Sequence, residues 1–321
     1  MRSLSLAFSL SLALVSLAPR AAEALSIVGW GNDVWGQTDI PAGNYTAVAA
    51  GHQHTLALKA DGTLATWGDT QYSLNVVPTG TFTAVSAGYE YSLALRTDGT
   101  LAAWGYDGMG QTDVPTGTFT AISAGLHGAL ALRTDGTLAA WGYNFYGQVS
   151  NVPTGTFVAI AAGGNHDLAL RANGTVVAWG LNDNGQTNVP GGTLTAIAGG
   201  LYHSLGIRPD GTLVGWGWDQ YGQTDVPTGT FTAIAGGIYH SLGIRTDGTL
   251  AAWGRNNDGQ INAPAGRYVA ISGAYDSLAI AAPVPEPASV LLLAAGLVAQ
   301  AGRRQRRRRV EMPPDTPNRG V

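Results

Sequence analysis

The chain has 321 residues, of which 45% are hydrophobic and 46 are glycine, and it contains no cysteine. This apolar content is enough for a substantial core, and the lack of cysteine excludes disulfide bonds and thiolate metal ligands. Residues 25–282 carry eight lysines and arginines against seventeen aspartates and glutamates, a net charge of −9. Such an acidic body argues against binding to the phosphate backbone of a nucleic acid, which requires clustered basic side chains.

Residues 1–24 have the features of a secretory signal peptide. Arg2 precedes an apolar run from Leu4 to Leu17, and Ala22 and Ala24 supply the small residues of a cleavage site. The run is short for a bilayer span, so cleavage after Ala24 is favoured over a membrane anchor. We therefore predict that the protein is exported.

A Trp-Gly pair recurs seven times, at intervals of 37 residues and once of 38. The tryptophans are Trp30, Trp67, Trp104, Trp141, Trp179, Trp216 and Trp253. A period of this length is typical of stacked supersecondary units, each of which needs its neighbours to bury its hydrophobic face. One tryptophan per unit at a constant phase predicts a core position rather than a binding position.

Each unit is predicted to be a small antiparallel sheet. The unit from Phe82 to Pro115 contains three runs of about five residues that are rich in Val, Ile, Leu, Ala, Thr and Trp. Both faces of these runs are apolar, so each sheet should be covered on both sides, as blades around an axis are. The Asp-Gly or Asn-Gly between the second and third runs predicts a tight hairpin turn. The sequence leaves open whether a fourth strand completes each blade.

The two ends of the repeat region complement each other. Residues 25–31 form a Trp-Gly strand with no partner strands before it, whereas residues 268–280 supply the first strands of a unit that lacks its Trp-Gly strand. We therefore predict an all-β, seven-bladed β-propeller over residues 25–282, with one blade completed by both chain ends. This closure removes the exposed sheet edges that would invite aggregation.

Three segments of the repeat carry a family resemblance. They read V-x-A-G-x-x-H-S-L-A-L, D-G-T-L-x-x-W-G and N-x-x-G-Q, and they resemble the repeats of the regulator of chromosome condensation family of seven-bladed propellers. The short unit with G-Q-T-x-V-P is most similar to the bacterial propeller-type β-lactamase inhibitory proteins. The resemblance implies the fold but no single function, because the family includes a nucleotide exchange factor, an ultraviolet receptor and enzyme inhibitors.

The candidate binding residues lie where the copies of the repeat differ. In an antiparallel blade, the Ala-Gly-x-x-His turn and the Trp-Gly-x-Asx-x-x-Gly-Gln loop should share one end, with the Asp-Gly turns at the other. The variable residues at the first end are Trp35, Tyr72, Tyr89, Glu90, Tyr91, Tyr106, Tyr143, Phe145, Tyr146, Tyr202, Trp218, Tyr221, Tyr239 and Tyr275. Aromatic residues on loops of a rigid ring are typical of recognition surfaces, and packing between loops is the alternative.

Catalytic and metal sites are not indicated. The six histidines all lie in the Ala-Gly-x-x-His turns, and four of them fill one repeat position in different blades, which predicts structural hydrogen bonding rather than one compact metal site. These four are His54, His166, His203 and His240. No nucleophile elbow, zinc-protease motif or phosphate-binding loop occurs, so we expect no catalytic residue, metal or cofactor.

The composition changes abruptly at Pro283, where a sorting signal is predicted. A Pro-Glu-Pro motif, an apolar run over residues 288–301 and an arginine cluster follow one another, and this order resembles the PEP-CTERM sorting signal of Gram-negative bacteria. The residues of the motif and the cluster include Pro285, Glu286, Pro287, Arg303, Arg304 and Arg306. The resemblance implies a transient inner-membrane tether through the apolar run, processing by an exosortase, and delivery to the cell surface or the medium.

We assign residues 283–309 to this signal and residues 310–321 to a disordered tail, and the sequence leaves open whether a signal with this extension is cleaved. The predicted function is recognition of an extracellular protein or polysaccharide by a monomeric propeller. The alternatives are an inhibitor of an extracellular enzyme, by resemblance to the β-lactamase inhibitors, a glycan hydrolase or lyase, and a structural component of an exopolysaccharide matrix.

Overall fold

The computed structural model describes residues 25–283. The predicted signal peptide, and the sorting signal beyond Pro283, lie outside the described residues. Within the described range, twenty-one strands form seven antiparallel sheets of three strands each. The structure therefore answers the question of strand number that the sequence left open.

The seven sheets are named blades 1 to 7 in chain order. Blade 1 contains β2 (Tyr45–Ala50), β3 (His54–Lys59) and β4 (Leu64–Gly68). Blade 2 contains β5 (Phe82–Ala87), β6 (Tyr91–Arg96) and β7 (Leu101–Gly105). Blade 3 contains β8 (Phe119–Ala124), β9 (Gly128–Arg133) and β10 (Leu138–Gly142). Blade 4 contains β11 (Ala159–Ala162), β12 (His166–Leu170) and β13 (Val176–Gly180). Blade 5 contains β14 (Ala196–Gly199), β15 (His203–Ile207) and β16 (Leu213–Gly217). Blade 6 contains β17 (Phe231–Gly236), β18 (His240–Arg245) and β19 (Leu250–Gly254). Blade 7 contains β20 (Tyr268–Gly273), β21 (Asp276–Ala281) and β1 (Ile27–Gly31).

Blade 7 joins the two ends of the propeller. Its outer strand β1 pairs antiparallel with β21, and the register places Ile27 opposite Ile280 and Gly31 opposite Asp276. The indole of Trp30 in β1 also donates to the carbonyl oxygen of Gln260, which lies in the loop after blade 6, at 2.8 Å. The predicted seven-bladed propeller with one blade shared between the chain ends is thus confirmed.

The hydrophobic core lies between the blades. Leu56 and Leu58 of blade 1 pack with Phe82 and Val85 of blade 2 in one buried cluster, and the same arrangement recurs around the ring. Since each cluster draws on two neighbouring sheets, no blade can bury its apolar residues alone. The first strand of every blade faces the axial channel, whose lining is mainly Ala, Ser, Gly, Val and Ile.

The repeated tryptophans are core residues, as the sequence predicts. Trp141, Trp179, Trp216 and Trp253 are buried, and the other three pack, partly buried, against core clusters. Each indole nitrogen donates to a backbone carbonyl of the preceding blade's loop, for example from Trp216 to Gln186 at 2.9 Å. The constant spacing of the tryptophans within the chain therefore reflects both their packing and a hydrogen bond that links consecutive blades.

The hairpin turns follow the Asp-Gly prediction. In blade 1, the Asp61 carboxylate accepts from the backbone nitrogen of Thr63 at 2.9 Å, and Gly62 has a φ of +83°, which favours glycine. No helix within residues 25–283 is long and apolar enough to cross a membrane.

Candidate binding face

The propeller has two different ends, which we call the upper and lower faces. In blade 1, His54 pairs with Gly68 at one end of the hairpin and Leu58 pairs with Leu64 at the other. The Ala-Gly-x-x-His turns and the Trp-Gly loops therefore share the upper face, and the Asp-Gly turns form the lower face. This shared location agrees with the sequence-based expectation.

The upper turns are fixed to one another through their backbones. His52 donates its backbone nitrogen to the carbonyl oxygen of Gly88, Tyr89 to Leu126, and Leu201 to Gly237, at 3.1 to 3.3 Å. These bonds connect neighbouring blades around the mouth of the axial channel. The side chains of the turns are consequently displayed from a rigid ring, which lowers the entropy lost on binding.

The Trp-Gly loops present their tip residues because polar side chains hold the loop ends. In the loop after blade 2, the Asp107 carboxylate accepts from the backbone nitrogen of Thr112 at 2.8 Å, and the buried Gln111 accepts from that of Met109 at 2.8 Å. The same two bonds recur in the loop after blade 5. The recurring bonds use the backbone nitrogen of the tip residue rather than its side chain, so the side chain at the tip is free to differ between blades.

Most of the predicted residues do lie on the upper face. The large side chains that are well exposed are Trp35, Tyr72, Phe145, Tyr146 and Tyr221, with Phe145 reaching 77% exposure. The partly buried ones are Tyr89, Glu90, Tyr106, Tyr143, Tyr202, Trp218, Tyr239 and Tyr275. The surface is thus a mixture of exposed rings and rings that support them.

Tyr91 is a correction to the predicted set, because its side chain is fully buried. It occupies the histidine position of its turn, and its hydroxyl donates to the carbonyl oxygen of Gly128 in blade 3 at 2.5 Å. Blade 3 has a glycine at its own histidine position and Ala129 where four of the other blades have serine. Tyr91 thus reaches a backbone acceptor where no serine hydroxyl is present, and we remove it from the candidate face.

Most of the rings gather in two clusters, and Tyr72 and Tyr106 form a separate pair. In the first aromatic cluster, the ring centroid of His52 lies 3.9 Å from that of Tyr89 and 4.2 Å from that of Tyr275. Ring contacts then continue from Tyr89 to the rings of blade 3. Its remaining members are His127, Tyr143, Phe145 and Tyr146. The second aromatic cluster consists of Tyr202, Trp218, Tyr221 and Tyr239, with centroids 5.4 to 6.0 Å apart.

Two members of the first cluster, His52 and His127, were missed by the sequence reasoning. Burial lowers the pKa of His52 to about 4, with a further lowering from His127, and burial also lowers the pKa of His127. Both imidazoles are therefore neutral at pH 7 and pack as uncharged rings. A signal was available, because His52 stands at the repeat position of Tyr89, and His127 at that of Tyr202.

The four histidines of the repeat position make structural hydrogen bonds, as expected, and the structure shows that these bonds link neighbouring blades. The Nε2 atom of His54 lies 2.9 Å from the Ser92 hydroxyl of the next blade, and the other three histidines repeat this contact at 2.8 to 2.9 Å. Burial is the main cause that lowers the pKa of each, to about 4 for His54. Within residues 25–283, no group of three or more His, Asp or Glu side chains is placed to hold a metal ion.

Comparison with known families agrees with this architecture. The model of the regulator of chromosome condensation (RCC1) repeat matches residues 45–73, 82–111, 119–148, 157–186, 194–223 and 231–260. The chain belongs to the RCC1 repeat family. A PEP-CTERM protein-sorting motif matches residues 283–308, which identifies an exported protein with a transient membrane anchor and implies processing by an exosortase.

Solved structures show the same fold at low sequence identity. Prp20p from Saccharomyces cerevisiae is 19% identical, with a TM-score of 0.70 over 83% of this chain and 93% of its own. Human WBSCR16 is 16% identical, with a TM-score of 0.71 over 82% of this chain and 100% of its own. The ectodomain of the Arabidopsis thaliana receptor kinase ACR4 is 20% identical, with a TM-score of 0.61 over 71% and 89%. No curated protein matches the chain.

Besides the interface at which Tyr91 contacts blade 3, the RCC1 repeats depart from their histidine–serine pattern at two blade interfaces that each contain a buried carboxyl group. Asp167 stands at the serine position of blade 4, opposite Gly128, and burial raises its pKa to about 8. Asp276 stands at the histidine position of blade 7, neither of its oxygens has a hydrogen-bond partner in the described part of the chain, and burial raises its pKa well above the usual value. Both interfaces lack the histidine–serine bond.

Charge is divided unevenly between the faces of this RCC1 propeller. The Ala-Gly-x-x-His turns and Trp-Gly-x-Asx-x-x-Gly-Gln loops of the upper face carry one arginine, Arg255, and seven carboxylates, which are Asp33, Asp69, Glu90, Asp107, Asp183, Asp219 and Asp258. The lower face carries Lys59, Arg96, Arg133, Arg171, Arg208, Arg245 and Arg267 beside the aspartates of five Asp-Gly turns. The upper face is therefore acidic as well as aromatic.

Proposed function

We propose that this RCC1 propeller is an extracellular binding protein, and that its upper face recognises a protein or a polysaccharide at the cell surface or in the medium. The proposal treats residues 25–282 as one domain that acts after export. The observation that carries it is the group of exposed rings on the upper loops, above all Phe145, which packs against Tyr143 and Tyr146 yet remains largely exposed.

Three further features support a binding role. The rings vary from blade to blade on a scaffold that does not vary, which is the arrangement of loop-based recognition surfaces. Tyr and Trp provide a large contact area at a small entropic cost. The lining of the axial channel within the described residues consists of small, apolar and hydroxyl-bearing residues, so we assign no reaction to it, and RCC1-like proteins are mostly regulators rather than enzymes.

The test is retention of an extracellular partner by the exported protein purified from its bacterial host. Partners are captured from the medium and the envelope fraction, identified, and then measured individually for affinity. Replacing four rings of the upper face with alanine should lower the affinity at least about a hundredfold, since each central aromatic residue of an interface contributes about 2 kcal/mol or more. The four substitutions are Tyr72→Ala, Tyr143→Ala, Tyr146→Ala and Trp218→Ala.

The matched control removes exposed side chains from the lower face, with Thr97→Ala, Thr134→Ala and Thr246→Ala. This variant should bind as the unmodified protein does. Equal binding by the upper-face variant would refute the proposed face.

Inhibition of an extracellular enzyme is a narrower form of this proposal. It is supported by the similarity of the short G-Q-T-x-V-P unit to propeller-type β-lactamase inhibitory proteins and by the rigid, preorganised ring of loops. Inhibition assays across envelope hydrolases, with the upper-face variant as the control, would decide between an inhibitor and a binder that leaves its partner active.

A further inference from the structure

Three positions from neighbouring turns meet on the upper face at each blade. They are the residue after Trp-Gly, the second variable residue of the Ala-Gly-x-x-His turn in the same blade, and the tip of the loop from the preceding blade. In blade 6 these are Arg255, Tyr239 and Tyr221. The backbone nitrogen of Arg255 donates to the carbonyl oxygen of Tyr239 at 2.9 Å, which fixes the first two positions side by side.

Blade 6 fills this group of three positions with a cation from its own chain. The guanidinium carbon of Arg255 lies 5.4 Å from the ring centroid of Tyr239 and 5.8 Å from that of Tyr221. These distances are within the range of cation–π attraction. The structure itself thus shows that two rings at these positions accommodate a guanidinium group.

Blade 2 fills the three positions with two rings and a carboxylate but no cation, because Tyr106 stands where blade 6 has Arg255 and Glu90 stands where it has Tyr239. Tyr106 follows Trp-Gly, Tyr72 stands at the loop tip, and their centroids are 5.0 Å apart. The third position is Glu90, whose carbonyl oxygen accepts from the backbone nitrogen of Tyr106 at 2.7 Å. Its carboxylate makes no hydrogen bond and no ion pair with any residue in the range 25–283. The rings and the negative charge are in place, and the positive partner is missing.

A second carboxylate stands next to this group. Asp69 is buried, with 8% of its surface exposed. Burial is the main cause that raises the pKa of Glu90, and the negative charge of Asp69 raises it further. Asp69 accepts from the backbone nitrogen of Gln71 at 3.0 Å. When the side-chain amide of Gln53 is oriented so that its oxygen and its nitrogen both have hydrogen-bond partners, the amide nitrogen also donates to the Asp69 carboxylate at 3.3 Å. These donors are neutral, so the negative charge at the group is not compensated.

The loop that carries Tyr72 differs from the other loops of the upper face in its backbone. Tyr72 and Ser73 have φ angles of +53° and +61°, a region that side chains other than glycine rarely adopt. In the other loops of the upper face the position of Ser73 is a glycine. Strain of this kind is retained mainly where a particular side-chain placement is needed.

We propose that Tyr72, Glu90 and Tyr106, with Asp69 beside them, form a subsite for an arginine or lysine side chain presented by a protein partner. This inference rests on the proposed function and specifies the chemistry of the partner. The acidic upper face, with seven carboxylates and one arginine in its turns and loops, complements a basic protein surface and would attract it electrostatically.

The geometry favours a protein side chain over a sugar. The Tyr72 and Tyr106 rings meet at 64°, edge against face, so they do not form the flat platform on which a pyranose ring stacks. A planar guanidinium is narrow enough to approach two tyrosine rings at once, as Arg255 approaches Tyr221 and Tyr239 in blade 6. Arginine is therefore the better fit, and lysine the weaker alternative.

The test uses the exported protein and a fluorescent hexa-arginine peptide, with hexa-citrulline as an uncharged probe of the same shape. Binding is followed by fluorescence anisotropy. Glu90→Gln should weaken hexa-arginine binding at least about fivefold, through loss of a partly buried charge partner. Asp183→Asn removes the same charge from the same face but outside the subsite, and should change the affinity less than about twofold because of screening.

A second pair of variants tests the comparison with blade 6. Tyr106→Arg places a cation where blade 6 has one, next to Glu90 and Tyr72, and should abolish hexa-arginine binding by filling the subsite from within the chain. Asn257→Arg adds the same charge at an exposed position elsewhere on the upper face and should leave most of the binding intact. Thermal unfolding of all four variants confirms that each is folded.

Several results would overturn the inference. They are equal losses for Glu90→Gln and Asp183→Asn, equal binding of the arginine and citrulline peptides, and tighter binding of a glucosamine hexamer than of hexa-arginine, which would identify a cationic glycan instead. Failure of the proposed function is a separate outcome. If the four-alanine variant keeps its partner, the face is wrong, whereas if it loses the partner and Glu90→Gln does not, only the subsite is wrong.

Discussion

The upper and lower faces are built by the same strands, but they use the repeat differently. On the lower face the same contacts recur from blade to blade. In blade 2, the backbone nitrogen of Thr100 donates to the Asp98 carboxylate at 2.9 Å, and the guanidinium carbon of Arg96 lies 5.0 Å from the ring centroid of Phe82. On the upper face, equivalent positions hold Tyr, Glu, His, Asn or Gln. Uniform contacts indicate a scaffold, and differences on a uniform scaffold indicate a surface adapted to something outside the chain.

The sharpest test of this division uses two tryptophans that are two residues apart. Trp216 is buried in the core and donates to Gln186, whereas Trp218 belongs to the second aromatic cluster on the upper face. Trp216→Ala should lower the free energy of unfolding by about 4 kcal/mol because it leaves a large cavity. Trp218→Ala should lower it by no more than about 1 kcal/mol. Urea unfolding measures both, and similar losses would show that the upper rings are part of the core.

The next effect concerns the interior that both faces share, through the pH dependence of stability. The pKa of Asp167 is raised in the folded state to about 8, so the folded chain holds a proton that the unfolded chain releases near pH 4. The stability that depends on this proton is complete below pH 4 and is lost as the pH rises from about 4 to 8. Asp167→Ser introduces the residue that blades 2, 5, 6 and 7 have at this position and should gain stability over the unmodified protein across this range, by up to about 5 kcal/mol.

Asp183→Ser is the control, since Asp183 is exposed on the upper face. Because this side chain lies outside the blade interfaces, Asp183→Ser should not reproduce the gain of Asp167→Ser. The buried histidines act in the opposite direction, because their pKa values are lowered, so their contribution is lost as the pH falls from about 6.5 to 4. A flat difference for Asp167→Ser would contradict a protonated carboxyl at the interface of blades 3 and 4.

The smallest effect lies within the upper face. Ser73→Gly should raise the free energy of unfolding by about 0.5 kcal/mol, because it removes the strain of a left-handed serine at the cost of a more flexible unfolded chain. Gly110→Ser is the reverse change at the equivalent position, where φ is +78°, and should be destabilising. Chemical unfolding checks both, and a destabilised Ser73→Gly would show that the serine side chain has a stabilising role of its own.

The sequence predicts nearly all of the fold, because a 37-residue period, turn residues at fixed positions and complementary ends leave one arrangement that closes. It predicts less of the site. Tyr91 and Glu90 are adjacent in the chain, yet one points into a blade interface and the other to the surface. Only the neighbouring blade, with Gly128 and Ala129 opposite Tyr91, distinguishes them. The meeting of Tyr72 and Tyr106 likewise depends on contacts between blades, which no single repeat contains.

The strand β1 has a consequence for the order in which the molecule assembles. Its partner β21 lies about 250 residues further along the chain, so blade 7 cannot be completed until nearly the whole propeller has been exported. Closing a loop of that length costs about 5 kcal/mol of chain entropy, and contacts so distant in sequence form slowly. We expect the six other blades to stack first and the ring to close last. A chain whose export stops early would then remain an unclosed propeller with exposed apolar surface and sheet edges, which favour aggregation.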